Sequence, residues 1–237
     1  MSQLALPLQL QDHAVFESFW SAGNDALVAY LIDLSGTGNS PGCWIWGASA
    51  TGKTHLLQAV CDRAGDRSAY LPLGRFVAAG PEVLDGLETR QFICLDDIDT
   101  VAGEPEWESS LFELCNQALD SGGILIISAS ASPRECGFEL KDLESRFMRL
   151  PPFRVRPLAD SDRVRALQLR ASMRGLDLPV ETANYLLTRG KRDMASLYAL
   201  LDRLDLESLK AQRRLTIPFV KTVLVLRQGD IDGFSES

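Results

Sequence analysis

The 237-residue sequence predicts an α/β fold: a parallel sheet flanked by helices, followed by a small helical domain. Three observations predict it. Short apolar runs recur near residues 43, 69, 92, 124 and 153, separated by helical stretches; the octapeptide GASATGKT at 47–54 joins the first run to an amphipathic stretch; and after Pro157 the pattern is helical throughout. With 46% hydrophobic and 24% charged residues, the chain carries enough apolar material for one substantial core and a small second one. No window approaches the run of about 20 apolar residues that a membrane helix needs, and no basic n-region opens the chain, so a cytoplasmic protein without a membrane partner is expected.

The first element is QLALPLQL at residues 3–10. Pro7 fixes its own φ and pushes Leu6 out of the helical region, so the stretch runs extended with Leu4, Leu6, Leu8 and Leu10 on one face. Two readings follow from the residues alone: an edge strand folded back on the domain, or a docking peptide for a groove in another protein. The expected organisation is an extended N-terminal peptide at 1–12, an α/β domain at 13–157 and a helical domain with a short tail at 158–237.

CWIW at 43–46 suits a buried strand, and HLLQAVCDRA at 55–64 has apolar residues at helical spacing. GASATGKT between them fits G-x-x-x-x-G-K-[ST] completely. In that pattern Gly47, Ala48, Ser49, Ala50, Thr51 and Gly52 present backbone N–H groups to a phosphate chain, Lys53 adds a point charge, and Thr54 offers a hydroxyl to Mg²⁺. FICLDDID at 92–99 is a second apolar run ending in acids: Asp96 at the strand tip would hold Mg²⁺ through water, and Asp97 beside it could orient an attacking water. ILIISAS at 124–130 ends in the hydroxyls of Ser128 and Ser130, within reach of a γ-phosphate or that water. From Leu158 onward, helical stretches are punctuated by Gly175, Pro179, Gly190 and Pro218, and Leu197, Leu200, Leu201 and Leu204 give one helix an apolar face. GDIDGFSES, after Gln228, is expected to fray.

Net charge is −8, which argues against DNA as the principal partner. The charge is unevenly placed: residues 81–120 hold eleven acids against Arg90 alone, whereas residues 134–174 hold ten Lys or Arg against six acids. The five cysteines, Cys43, Cys61, Cys94, Cys115 and Cys136, are widely spaced in apolar segments without a C-x-x-C pair, and read as buried thiols. From the residues alone Arg146 reads as a surface ion-pair partner of Asp142 or Glu144.

These residues resemble the AAA+ family, and within it the DnaA-type replication initiators, over nearly all of residues 13–226. FESFWSAGNDALVAYL at 16–31 is similar to the initiator segment beside the adenine, LDDID to a Walker B motif, LESRF at 143–147 to the arginine-bearing box, KRDMASL at 191–197 to sensor II, and LTIPFVK at 215–221 to the last lid helix. The resemblance implies a bound adenine nucleotide, ADP or ATP, with Mg²⁺ on Thr54 and Asp96, and with Lys53, Ser130 and Arg192 also holding it. It makes Arg146 a finger pointing into the ATP of a neighbouring initiator, with Arg149, Arg154 and Arg156 as nearby alternatives. Ser130 stands where the initiators carry an acidic sensor, so the chain's own hydrolysis should be slow. The opening peptide is similar to the bacterial clamp-binding pattern at Gln3, Leu4, Leu6, Pro7 and Leu8, and the family's helix-turn-helix DNA-binding domain does not follow residue 226. The implied function is negative regulation of replication initiation, by a homologue that stimulates the initiator's ATP hydrolysis while held on the sliding clamp. Its partners would be the initiator DnaA, the clamp and a possible second copy of this chain, with no sequence-specific DNA contact. A self-sufficient ATPase of the helicase-loader type is the alternative.

Overall fold

The computed structural model describes residues 14–189 and 193–232, with backbone alone for 225–232. The chain divides between Pro157 and Leu158 into two compact units.

The first unit is built on five strands, β1 (Gly42–Trp46), β2 (Ser68–Pro72), β3 (Phe92–Asp96), β4 (Ile124–Ala129) and β5 (Pro152–Arg154), ordered β2-β3-β4-β1-β5 with every pairing parallel. All five fall on the apolar runs. β3 and β4 are buried at every position, as strands covered on both faces must be, and this explains why they lack a polar alternation. The pleat still sorts the side chains of β1 and β3. Cys43, Ile45, Phe92 and Cys94 join Leu27, Leu31, Leu56 and Val60 on one face, whereas Trp44, Ile93 and Leu95 join Trp107, Leu111 and Phe147 on the other.

The helices of this unit are α1 (Asp25–Thr37), α2 (Lys53–Ala64), α3 (Pro105–Asp120) and the short α4 (Lys141–Phe147). In α3 the buried residues Trp107, Leu111, Leu114, Cys115 and Ala118 recur at helical spacing, which makes the helix a lid over the β3–β4 region. One expectation is corrected. Between β2 and β3 there is no α-helix but a chain of 3-10 turns from Leu73 to Thr89, because Gly74, Gly80, Pro81 and Gly86 break the segment before a second helical turn can form.

The second unit holds α5 (Asp160–Met173), α6 (Val180–Arg189), α7 (Met194–Ala211) and α8 (Ile217–Asp232). Its core gathers Leu167, Leu186, Leu197, Leu201, Leu204, Phe219 and Val220, with Leu200 partly buried against it. Asp193 caps α7 by accepting from the Ser196 N–H at 2.8 Å. The expectation of a frayed tail from Gly229 is corrected over 229–232, where α8 continues to Asp232; residues 233–237 lie outside the described residues. Cys43, Cys61, Cys94 and Cys115 are buried free thiols, but Cys136 is only half-buried. Burial pushes the Cys115 thiol up to about 12, opposed by the charge of Arg146.

Candidate functional site

The loop at 47–54 links β1 to α2 and depends on two glycines. At Gly47 an added Cβ would lie 2.7 Å from the Val155 carbonyl oxygen, and at Gly52, where φ is +102°, it would lie 2.7 Å from the Phe19 ring. No other residue fits either place. Ala50, between them, is held in the left-handed region at φ 58°, which stores strain of about 1–2 kcal/mol in the loop. Lys53 is only 7% exposed, and its Nζ donates to the carbonyls of Gly47 (2.8 Å) and Ala48 (3.1 Å), so the cation is held within the loop's curve. The N–H groups of the first turn of α2 have no side-chain cap, because the N-cap is Gly52. A glycine-cradled loop, a buried ammonium and an uncapped helix start fit the phosphates of a nucleotide.

The segment before α1 seals the loop's outer side. His55, on α2, lies with Nε2 at 2.9 Å from the Val15 carbonyl; a carbonyl only accepts, so this nitrogen carries the proton. Ser18 donates to the same carbonyl at 2.8 Å, and Phe19 packs on the His55 ring with centroids 5.4 Å apart. The stretch similar to the initiator's adenine-side segment is thus pinned beside GASATGKT.

At the tip of β3, Asp96 is 2% exposed, and both its oxygens are occupied: the Tyr70 hydroxyl donates to Oδ2 at 2.8 Å, and the Ser128 hydroxyl donates to Oδ1. Ser128 also accepts from the Asp97 N–H at 2.9 Å. Burial and the adjacent carboxylate push the Tyr70 hydroxyl far above its ordinary range, so it remains a donor. Asp97 turns the chain in the left-handed region, at φ 54°, which aspartate tolerates. Its carboxyl is raised above the ordinary carboxylate range by partial desolvation, by Asp96 and by Asp99, and Lys53 opposes the rise.

Ser130 lies beyond β4 and is tied elsewhere. Its hydroxyl donates to Asp99 Oδ2 at 2.5 Å and its N–H to Oδ1 at 3.2 Å. The two serines of ILIISAS therefore divide the work, with Ser128 buried on Asp96 and Ser130 exposed on Asp99. Tyr70 and Asp99 were not legible as site residues, since each shows itself only through its partner across the sheet. Among the described residues no group of three His, Cys, Asp or Glu could hold a metal. Mg²⁺ on Thr54 and Asp96 would accordingly depend on phosphate oxygens for its remaining ligands.

Arg146 sits half-buried on α4, away from these groups in sequence. The ion pair suggested by its neighbours does not form: Glu144 binds Lys141 at 2.9 Å, and among the described residues Arg146 has no carboxylate partner. Arg154 is engaged over the Trp46 ring at 5.1 Å, and the backbone N–H of Arg156 donates to Asn24 Oδ1 at 2.8 Å, a bond that does not involve its guanidinium. Arg192 and the peptide positions Gln3, Leu4, Leu6, Pro7 and Leu8 lie outside the described residues.

Comparison with known proteins agrees with this architecture. Residues 160–224 match the family model of the Hda lid domain, and residues 43–119 match an RNA helicase model. Domain III of the replication initiation protein DnaA from Thermotoga maritima superposes with a TM-score of 0.76 at 19% identity, covering 91% of this chain and 96% of that one. AMPPCP-bound DnaA from Aquifex aeolicus gives 0.69 at 21% identity over 85% and 68%, and the Thermotoga maritima RuvB branch migration motor gives 0.61 at 14% over 89% and 73%. Among the described residues no helix is long and apolar enough to cross a membrane. The chain has the DnaA-like AAA+ fold, and its C-terminal unit matches the Hda lid domain.

Proposed function

We propose that this chain binds an adenine nucleotide, ADP or ATP with Mg²⁺, at Gly47–Thr54 and regulates a DnaA-type replication initiator. The observation that carries the reading is the Hda-type lid joined to a DnaA-like AAA+ unit whose phosphate loop is complete in sequence and geometry. Gly47 and Gly52 let the backbone approach phosphates, Lys53 neutralises their charge, Thr54 and Asp96 would hold Mg²⁺, and Arg192, outside the described residues, would add a second positive charge. Asp97 would orient an attacking water, but Ser130 offers a hydroxyl committed to Asp99 where an acidic sensor would serve hydrolysis, so turnover by this chain alone is slow.

Arg146 acts outward. Without a carboxylate partner of its own, its guanidinium is available to charge developing on the ATP of a neighbouring initiator, an effect on the order of 10³–10⁵ in rate for a trans arginine. Gln3, Leu4, Leu6, Pro7 and Leu8 hold the chain on the sliding clamp, and burying two or three leucines at about 1.5–3 kcal/mol each, less the cost of ordering a tail, gives a modest, reversible affinity. The outcome is negative regulation of initiation. The test measures ATP hydrolysis by the initiator with and without this chain, and with and without DNA-loaded clamp. Stimulation that requires the clamp supports the reading; rapid hydrolysis by this chain alone, with no effect on the initiator, favours a helicase-loader type ATPase.

A further inference from the structure

Glu108 lies on the first turns of α3 and is 1% exposed, with no cation paired to it among the described residues. A buried carboxylate is costly unless hydrogen bonds replace its water, and here three backbone donors do so. Its Oε1 accepts from the Gly103 N–H at 2.7 Å and the Glu139 N–H at 3.1 Å, and its Oε2 accepts from the Leu140 N–H at 2.6 Å. Gly103 closes the turn that follows Asp96, Asp97 and Asp99, whereas Leu140 is the N-cap residue of α4, the helix that carries Arg146. One side chain thus gathers the loop below the acidic strand tip and the start of the arginine helix.

The seven residues of α4 are too few to form a stable helix alone, so tertiary contacts decide where it lies. Leu143 and Phe147 supply the apolar part, Phe147 packing on Trp44 and Phe138 with centroids 5.2 and 5.3 Å apart. Such packing holds the helix down but is non-directional. The bonds to Glu108 are directional and act where the helix begins. We propose that Glu108 is a positioning residue for Arg146, fixing the start of its helix and tying it to the loop after Asp96–Asp99. The proposal rests on the reading of Arg146 as the trans arginine.

Glu108→Gln separates the bonds. An amide has one acceptor oxygen; if that oxygen stays with Gly103 and Glu139, its NH₂ faces the Leu140 N–H, donor against donor. In the clamp-dependent assay of initiator hydrolysis, the variant should lose maximal stimulation by on the order of 10- to 10²-fold, as misplacing a catalytic group does. The initiator concentration giving half the effect and the chain's own nucleotide affinity should not change, and amide exchange at Glu139 and Leu140 should accelerate. A merely structural role would instead move nucleotide affinity and half-saturation together. Undiminished stimulation by Glu108→Gln, in an assay where Arg146→Ala abolishes it, overturns the positioning role and leaves Arg146 standing; full stimulation by Arg146→Ala overturns the Arg146 reading itself. Should Glu108→Gln not fold, exchange in the unsubstituted protein decides: Gly103, Glu139 and Leu140 amides protected together with α4 support the tie, and rapid exchange at them overturns it.

Discussion

Ser128→Ala is the substitution whose effect the structure defines most fully. The hydroxyl is wholly buried, donates to Asp96 Oδ1 and accepts from the Asp97 N–H at 2.9 Å. Removing it leaves a buried carboxylate oxygen short of one donor and a backbone N–H without an acceptor. A bond to a charged group contributes about 1.5–3 kcal/mol and a neutral one about 0.5–1.5 kcal/mol, so the loss should be about 2–4 kcal/mol. For a chain of this size that lowers Tm by roughly 5–15 °C. Ser130→Ala is the internal control: its exposed pair with Asp99 should cost under about 1 kcal/mol. Differential scanning calorimetry of both variants checks the difference. If Ser128→Ala melts with the unsubstituted protein, or Ser130→Ala melts earlier than Ser128→Ala, the assignment of Ser128 as the anchor of the acidic strand tip is wrong.

Lys53→Ala should weaken binding of both ADP and ATP, because the charge held in the loop is removed, and titration calorimetry showing unchanged affinity would exclude this loop as the phosphate site. Asp97→Asn should stabilise the fold near neutral pH: the folded-state carboxyl is raised, so its ionised form is disfavoured by folding, and a neutral amide relieves that. The gain should vanish as pH falls through the raised folded value to below the ordinary carboxylate value of 3.8, where aspartate is protonated in both states, and denaturant melts across that window check it. Changing Gln3, Leu6 and Leu8 to Ala should abolish clamp binding in surface plasmon resonance without lowering Tm; early melting with clamp binding intact would instead mark the peptide as an edge strand.

The centre of the sheet was legible because β3 and β4 are buried on both faces and therefore appear as largely apolar runs, FICLD and ILIISA, whereas the edge strands β2 and β5 are only partly covered. GASATGKT was legible as a tight strand-to-helix loop because Gly47 and Gly52 occupy positions where a Cβ would collide. Helical periodicity failed between β2 and β3, where glycines and a proline reduce the chain to 3-10 turns. The polar partners of the acidic tip were hidden for a different reason. Tyr70 and Ser128 meet Asp96 only because β2 and β4 flank β3, and Glu108 on α3 meets the start of α4 at Leu140 across 32 residues of chain; such pairings belong to the tertiary fold and not to any local pattern. Arg146 showed the opposite failure, since proximity in sequence suggested a pair with Glu144 that Lys141 takes instead.

Arg146, as proposed above, acts on another protein's nucleotide. The most direct test is initiator ATP hydrolysis on DNA-loaded clamp, comparing the unsubstituted chain with Arg146→Ala at saturating concentration. Arg146→Ala should still bind clamp and adenine nucleotide but lower stimulation on the order of 10³-fold, to the unstimulated rate. Normal stimulation by Arg146→Ala would contradict it.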